Sequence, residues 1–302
     1  MNLLISDKIA TPAIDLLKEK GINLDYLPDI SSQILIEKIA LFDGLIVRSR
    51  TKVTADVISA GKNLKIIGRA GSGVDNIDIE AAKKRKITVV NTPEANSEAV
   101  AELTIGLIIN LIRHIHKAHE SMKRGEWEKK MFSGTEISGK KVGIIGYGHI
   151  GKKVARILSS FGAEILYFGI SERNANYETI FSSADIISIH LPLNKQTQNL
   201  IDKKFLSMMK KDAYLINTSR GKVMDEDYFY GMLVENKIKG AALDVFWEEP
   251  LPSDSKWRKL SNVILTPHIG AATSEALTKA GMCVAEDILR VVNHQKPLYR
   301  VI

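Results

Sequence analysis

Three polar side chains of different chemistry each follow an apolar, β-branched run that predicts a strand. Arg220, Glu249 and His268 lie a few residues after such runs. Since ligands bind at the carboxyl ends of strands in open parallel sheets, the three are candidates for one site. An imidazole can take a hydroxyl proton as a hydride leaves the same carbon, a neighbouring carboxylate fixes its tautomer, and a guanidinium can bind a substrate carboxylate. The trio therefore predicts reversible oxidation of a 2-hydroxy acid, with His268 as the base, Glu249 as its partner and Arg220 on the substrate.

Residues 146–151 form a glycine-rich loop of the G-x-G-x-x-G pattern. The loop follows a predicted strand and opens a helical run, 152–160, so it could hold a pyrophosphate at a helix N-terminus. Gly146 would allow the tight turn, Gly148 the close approach of a phosphate, and Gly151 the packing of helix on strand. The alternative is a turn without a ligand, and the strand–loop–helix context favours the dinucleotide site.

The members of the trio also have ordinary structural interpretations when each is taken alone. An arginine after a strand is commonly a surface ion pair, Glu248 and Glu249 could form a solvated turn, and a histidine before a glycine could cap a strand. Their joint position behind a dinucleotide loop favours the catalytic interpretation.

The end of the second strand after residue 140 lacks the acid that usually binds the cofactor ribose. Gly169 stands where we would expect an aspartate. Without that carboxylate, repulsion of a 2′-phosphate is lost and Arg173 could attract one, so NADP is a possible cofactor beside NAD. Glu172 could instead reach the ribose from further along the loop, and the plainer alternative for both residues is a solvated pair.

Another candidate loop, residues 69–76, follows a predicted strand near the N-terminus. Its small residues could expose backbone N–H groups that bind a carboxylate. The alternative is a tight turn without a ligand.

Short aliphatic runs alternate with stretches of helical period along the chain, which predicts βα units and parallel sheets. The predicted strands are residues 2–5, 23–26, 44–47, 64–67, 87–90, 141–145, 164–168, 186–190, 213–217, 241–245 and 263–266. One long helix is predicted over residues 96–123. We therefore expect an α/β fold of two Rossmann-like or flavodoxin-like domains with parallel sheets, the larger a doubly wound dinucleotide-binding domain, with a cleft between the domains.

Length and composition agree with two globular domains, since the 302 residues are 45% hydrophobic and 25% charged. No apolar stretch approaches the roughly 20 residues of a membrane span, and the N-terminus lacks the basic region of a signal peptide. The net charge of +7 is spread along the chain, which favours a solvated surface over a nucleic-acid partner. The single cysteine, Cys283, fits a reducing compartment, so we expect a cytoplasmic protein without a membrane partner.

In their order along the chain, these motifs resemble those of the D-isomer-specific 2-hydroxyacid dehydrogenases. The matching segments are 69–78, 146–151, 217–221, 244–250 and 267–273, with further matches at 47–54, 91–104 and 121–128. The resemblance implies a nicotinamide cofactor and the same catalytic trio. It also implies a substrate-binding domain of residues 1–97 plus 275–302, a dinucleotide-binding domain of residues 98–274, and a homodimer formed through the dinucleotide-binding domains.

The resemblance assigns further residues to the two ligands. The cofactor-binding positions that it implies are Thr104, Gly146, Gly148, His149, Ile150, Gly151, His190, Pro192, Thr218, Ser219, Arg220, Asp244, His268 and Gly270. The substrate-binding positions are Arg48, Arg69, Gly71, Ser72, Gly73 and Val74. Arg48 and Arg69 match basic positions near a substrate phosphate, which favours a phosphorylated acid.

The sequence is also compatible with two other functions. Within the family, the substrate could be an unphosphorylated 2-oxo acid such as glyoxylate or hydroxypyruvate. Outside enzymes, the same fold could serve a dinucleotide-sensing interaction protein. No metal site is predicted, and because the chain ends at Ile302 we expect none of the C-terminal regulatory domains of longer family members.

Overall fold

The computed structural model describes residues 1–302 and divides into two compact units. Unit 1 comprises Met1–Asn96 with Ala271–Ile302, and unit 2 comprises Ser97–Gly270. Each unit is built on one sheet in which all strands run parallel. The predicted α/β fold with two parallel sheets is therefore confirmed.

Unit 1 contains a five-stranded sheet with helices packed against it. Its strands are β1 (Asn2–Ile5), β2 (Asn23–Tyr26), β3 (Gly44–Val47), β4 (Ile66–Arg69) and β5 (Thr88–Val90), in the order β2-β1-β3-β4-β5. Its helices are α1 (Thr11–Glu19), α2 (Ser32–Lys38), α3 (Ala55–Ala60), α4 (Ile79–Lys84) and α11 (Ser274–Val292). This strand order places a change of winding direction beside β1, and ligands of open α/β sheets bind at such points.

The last helix and the chain end complete the core of unit 1. Val284 and Ile288 of α11 are fully buried among side chains of the sheet. Gly68 permits this packing, because a Cβ at that position would lie 2.5 Å from a side-chain carbon of Val284. After α11, the buried Asp287 carboxylate accepts the backbone N–H groups of Leu298 and Tyr299 at 2.6 and 2.9 Å. The C-terminal residues are thereby fixed beside β5.

Unit 2 contains a six-stranded sheet of the flavodoxin-like order. Its strands are β6 (Lys141–Ile145), β7 (Glu164–Phe168), β8 (Ile186–Ile189), β9 (Tyr214–Asn217), β10 (Gly240–Leu243) and β11 (Val263–Leu265), in the order β11-β10-β9-β8-β6-β7. Its helices are α5 (Ser97–Arg113), α6 (Ile115–Lys123), α7 (His149–Ser160), α8 (Tyr177–Ser183), α9 (Lys203–Leu206) and α10 (Glu226–Val234). The winding direction changes at β6, so the carboxyl ends of β6 and β8 define the expected ligand crevice.

The helix predicted over residues 96–123 is wrong in one respect, because it breaks at His114. That residue has φ of +56°, and α5 and α6 meet there at an angle of 64°. The Asn110 side chain accepts the backbone N–H of His116 at 2.8 Å, which satisfies a donor at the start of α6. No single helix has the length and apolar composition of a membrane span, while α5 and α6 taken together meet that criterion by length and composition alone.

Candidate active site

The glycine-rich loop lies at the carboxyl end of β6, at the change of winding direction in unit 2. Gly146 has φ of +98°, a conformation that residues with a Cβ rarely adopt. A Cβ at this position would also lie 2.5 Å from the carbonyl oxygen of His190, which follows β8. The absence of a side chain therefore allows the two loops at the expected crevice to approach each other.

The same loop forms a cradle that fits the pyrophosphate of a dinucleotide. Gly148 caps α7, and a Cβ there would meet no atom within 4 Å, so its backbone borders open space. A Cβ on Gly151 would overlap the carbonyl oxygen of Gly146, which keeps the first turn of α7 tight against the loop. The N–H groups at a helix N-terminus carry partial positive charge and face this space.

His268 and Glu249 form a directly bonded pair in unit 2. His268 Nδ1 lies 2.7 Å from Glu249 Oε2, and both side chains are about one-third exposed. The second carboxylate oxygen, Oε1, accepts the backbone N–H of Phe246 at 3.0 Å. The pair predicted from sequence is thus brought together, with the imidazole still accessible.

The charge of Glu249 determines which imidazole nitrogen can act as a base. Burial raises the pKa of Glu249, but the hydrogen bond from His268, the charge of that ring, the Phe246 N–H and the charge of Arg220 together lower the pKa below its usual value. Glu249 is therefore ionised at neutral pH and can only accept hydrogen bonds. Nδ1 of His268 must carry the proton in this bond, which leaves the Nε2 lone pair of the neutral ring free to accept a proton.

Asp244 fixes the loop that carries His268 by accepting hydrogen bonds from it. This fully buried carboxylate accepts the Thr266 hydroxyl at 2.6 Å and the N–H groups of Ile269 and Gly270 at 2.9 and 2.8 Å. Burial raises the pKa of Asp244, and these hydrogen bonds oppose that increase. His268 itself has φ of +53°, a left-handed conformation that is uncommon for residues other than glycine, and the contacts of Asp244 with the following residues help to hold it. Asp244 is therefore a positioning residue for the histidine loop.

Glu249 is positioned by an aromatic support. The Trp247 ring stacks on Trp257, with ring centroids 5.1 Å apart and an interplanar angle of 4°. Its indole N–H also donates to the carbonyl oxygen of Met224 at 2.8 Å. The segment that leads from β10 to Glu249 is anchored on a buried tryptophan, which limits its freedom.

Arg220 lies in a turn ordered by Asn217, a residue that the sequence analysis did not assign to the site. The Asn217 side chain accepts from the N–H and hydroxyl of Ser219 at 2.9 and 2.8 Å and donates to the Arg220 carbonyl at 2.8 Å. An asparagine at a strand end commonly folds back on the next residues in this way, so its type and position were the available signal. The positive charge of Arg220 lowers the pKa of Glu249. This electrostatic interaction links Arg220 to the pair formed by His268 and Glu249.

Other predicted cofactor residues of unit 2 lie near the same strand ends with different degrees of exposure. Thr104 and Thr218 are buried and share a hydrogen bond of 2.9 Å. Burial lowers the pKa of His190 to about 3, so that ring is neutral. Its Nε2 lies 2.9 Å from the Ser188 hydroxyl, while its buried Nδ1 has no partner. Pro192 and His149 are exposed. Their cofactor contacts remain predictions.

Unit 1 has its own cationic loop after β3, where its sheet changes winding direction. The buried Asp7 carboxylate accepts the backbone N–H groups of Arg48 and Thr51 at 2.5 and 3.2 Å and pairs with Arg50 at 3.0 Å. Asn76 donates to the carbonyl oxygens of Arg48 and Thr51 at 2.7 Å each. Burial lowers the pKa of Arg48 and the Asp7 charge opposes that change. The Arg48 guanidinium is therefore a partly desolvated cation on a braced loop.

The second cationic element of unit 1 is the turn after β4. Gly71 has φ of +153°, and the Arg69 guanidinium lies so close that a Cβ on Gly71 would overlap its Nη1. The Ser72 hydroxyl donates to Asn96 Oδ1 at 2.5 Å, which turns it toward residues 92–96. The predicted anion-binding loop thus lies beside a buried arginine, and its carboxylate-binding role remains a prediction.

Comparison with known proteins gives consistent results. Residues 105–270 match the family model described as D-isomer specific 2-hydroxyacid dehydrogenase, NAD binding domain. The chain is 43% identical to D-3-phosphoglycerate dehydrogenase of Methanocaldococcus jannaschii, over 97% of this chain and 57% of that protein. It is 42% identical to hydroxypyruvate reductase of Thermotoga maritima, over 94% of this chain and 95% of that one. The fold matches NAD+-bound 3-phosphoglycerate dehydrogenase of Entamoeba histolytica with a TM-score of 0.86 and 29% identity, over 100% and 98% of the two chains.

The chain belongs to the D-isomer specific 2-hydroxyacid dehydrogenase family, and residues 105–270 match the NAD binding domain of that family. The predicted family and the predicted NAD cofactor are confirmed. The chain spans 57% of the length of the archaeal relative, whereas it spans nearly all of the Thermotoga relative.

Proposed function

We propose that the protein oxidises D-3-phosphoglycerate at C2 to 3-phosphohydroxypyruvate, with NAD as the hydride acceptor. The observation that carries this proposal is the His268–Glu249 pair, 2.7 Å apart, in the same unit as a glycine loop suited to a dinucleotide. We further propose that unit 2 is the dinucleotide-binding domain and that unit 1 is the substrate-binding domain.

The chain's own residues would move the proton and orient the substrate. NAD, when bound, supplies a nicotinamide carbon that accepts the hydride from C2. His268 Nε2 takes the proton of the C2 hydroxyl and returns it in the reverse reaction, while ionised Glu249 stabilises the protonated ring. Arg220 binds the substrate carboxylate and polarises the C2 oxygen. The products are the 2-oxo acid, NADH and a proton, so atoms and electrons balance.

The preference for a phosphorylated acid is supported by two features. The archaeal relative at 43% identity is named a D-3-phosphoglycerate dehydrogenase, as are several others at about the same identity. Arg48 and Arg69 of unit 1 are cations partly or largely removed from water, where charge-assisted hydrogen bonds to phosphate or carboxylate are stronger than at the open surface.

Removal of Arg48 is expected to distinguish phosphorylated from unphosphorylated substrates. Arg48→Gln should lower kcat/KM for 3-phosphohydroxypyruvate by roughly 10- to 100-fold, the range for loss of one charged hydrogen bond, and should change the value for glyoxylate much less. Arg69→Gln should act in the same direction. Lys52→Gln removes an exposed charge from the same loop and should leave both values unchanged. Equal losses on the two substrates would contradict a role in phosphate binding.

The main proposal is tested by initial rates of the purified protein. D-3-phosphoglycerate is offered with NAD and with NADP, and 3-phosphohydroxypyruvate, hydroxypyruvate and glyoxylate are offered with NADH and NADPH. Preference for the phosphorylated pair supports the proposal. Preference for an unphosphorylated acid would leave the proposed mechanism intact but would show that the proposed substrate is wrong.

Hydroxypyruvate reduction is the second candidate function, and the name of one similar relative favours it. The Thermotoga relative named hydroxypyruvate reductase is 42% identical to this chain, about as similar as the relatives named D-3-phosphoglycerate dehydrogenase. The trio could run the same chemistry on the unphosphorylated acid. The selectivity of Arg48→Gln described above separates the two candidates.

We also propose that two copies associate through unit 2 and that the protein acts in the cytoplasm. A groove of unit 2 exposes mainly apolar surface, with Met122 53% exposed, and is lined by Ile109, Arg113, Ile115, Ala118, His119 and Met122. Exposed apolar surface of this kind is commonly covered by a partner. Light scattering of Met122→Glu should give half the mass of the wild type, whereas Val234→Glu, at a side chain 51% exposed on α10, should not.

Fractionation of cells that express the protein would test the proposed cytoplasmic location.

A further inference from the structure

The end of β7 has no room for the acid that usually meets the cofactor ribose. A Cβ on Gly169 would lie 2.8 Å from the Cβ of Tyr147, in the glycine loop, and 3.1 Å from the carbonyl oxygen of Glu172. The backbone turns sharply there, because the Gly169 N–H donates to that same carbonyl at 2.9 Å. The tight turn lies directly on the glycine loop, so a carboxylate at position 169 would require the two to separate.

A different carboxylate is held beside the glycine loop. Glu172, at the end of this turn, pairs with Lys152 Nζ at 2.5 Å. Lys152 belongs to the first turns of α7 and also lies 5.6 Å from the centre of the Tyr147 ring. Tyr147 in turn stacks on Tyr167 of β7, with centroids 3.8 Å apart. Lys152 and Glu172 are thereby tied to the loop that forms the dinucleotide cradle.

The other cation of this turn lies on the opposite face of β7. The Arg173 guanidinium lies 5.5 Å from the centre of the Phe168 ring. Side chains of adjacent strand residues point to opposite faces of a sheet, and Phe168 and Tyr167 indeed pack in different core clusters. Lys152 is therefore the cation beside Tyr147, and Arg173 is directed toward the other side of the strand.

We propose that the Lys152–Glu172 ion pair selects NAD over NADP, an inference that rests on the proposed function. The Glu172 carboxylate can accept a hydrogen bond from a ribose 2′-hydroxyl and repels a 2′-phosphate. It also occupies Lys152, a cation beside the glycine loop that could otherwise attract that phosphate. The selecting acid is thus displaced by three residues from its usual position, and its effect depends on a lysine from the neighbouring helix.

Direct binding measurements test this pair without reliance on turnover. The dissociation constants of NADH and NADPH are measured by fluorescence titration of the whole protein. Glu172→Gln removes the repulsion and releases Lys152, so the affinity for NADPH relative to NADH should rise by roughly 10- to 100-fold. Lys152→Met leaves the carboxylate unpaired and should shift the ratio the other way.

A matched control is available in the same unit. Glu178 pairs with Lys204 at 2.8 Å, and the two glutamates have nearly equal exposed fractions, 49% for Glu178 and 48% for Glu172. Glu178→Gln removes the same charge and should leave the affinity ratio unchanged. Both ion pairs are on the surface, where such pairs contribute little to stability, so these variants are expected to fold.

The outcomes separate this inference from the proposed function. If the wild-type protein binds NADH and reduces a 2-oxo acid, but Glu172→Gln leaves the affinity ratio unchanged, the inference is overturned and the function stands. If Glu172→Gln and Glu178→Gln change the ratio equally, general electrostatics explain the effect and the inference is again overturned. If the wild type binds neither dinucleotide, the proposed function fails and the inference fails with it.

Discussion

Replacement of His268 by asparagine is expected to lower kcat by roughly 100- to 10,000-fold in both directions of the reaction, the range for loss of a general acid–base group. Ionised Glu249 requires the proton on Nδ1, so Nε2 is the only nitrogen that can take the substrate proton, and asparagine has no equivalent base. NADH should still bind, because the glycine loop is untouched, with an affinity reduced only by any contact that His268 itself makes to the cofactor. Steady-state rates together with fluorescence titration of NADH measure both effects.

The choice of asparagine protects the backbone at this position. His268 has φ of +53°, and asparagine is among the residues that adopt this conformation most readily. His294 provides a matched control, since it is an exposed histidine with φ of +57° in unit 1. His294→Asn should retain wild-type kcat. Retention of full turnover by His268→Asn, with NADH still bound, would remove His268 from the mechanism.

Replacement of Arg220 by glutamine is expected to lower kcat/KM for 2-oxo acids by roughly 100- to 1,000-fold, the range for loss of one electrostatic stabiliser of the reacting oxygen. Asn217 holds this turn through the backbone carbonyl of Arg220, and that bond is kept when the side chain changes, although the bond from the Arg220 guanidinium to the Ser219 carbonyl at 2.7 Å is lost. Arg220→Lys should recover only part of the loss, because an ammonium cannot reproduce two parallel hydrogen bonds to a carboxylate.

An exposed arginine on α7, Arg156, serves as the control for loss of a positive charge in unit 2. Arg156→Gln should retain the wild-type kcat/KM. If Arg220→Lys matched the wild type, the positive charge alone would explain the effect of Arg220. The proposed pair of parallel hydrogen bonds from its guanidinium to the substrate carboxylate would then be wrong. If Arg156→Gln lost as much as Arg220→Gln, the cause would be the net charge of the unit.

Local patterns predict much of the fold because most strands carry their own apolar run. The structure has β6 at Lys141–Ile145, the range that the sequence predicts. β4 begins at Ile66, two residues later than predicted, because the apolar Leu64 is buried before the strand starts. The break at His114 has no glycine or proline to signal it, since it depends on the side chain of Asn110.

Contacts between distant segments explain what the sequence did not predict at the site. Glu249 and His268 could be paired from their chemistry, but nothing local indicates that Asp244 would hold the loop that carries His268. Likewise, the pairing of Glu172 with Lys152 joins residues 20 positions apart that come together only when β7 packs beside β6. Side-chain chemistry thus predicts candidates, while long-range packing determines which of them meet.

Unit 1 consists of two segments that flank unit 2 in the sequence, and this order has a consequence for synthesis on the ribosome. Residues 1–96 are synthesised before unit 2, but the core of unit 1 also needs Val284, Ala285 and Ile288 of α11, which are synthesised after unit 2. Unit 2 is a single continuous segment and is complete before α11 appears. Since domains generally fold as units during translation, residues 1–96 must stay partly unpacked while unit 2, which is synthesised after them, folds. Chaperone dependence should therefore concentrate on the N-terminal 96 residues of the nascent chain.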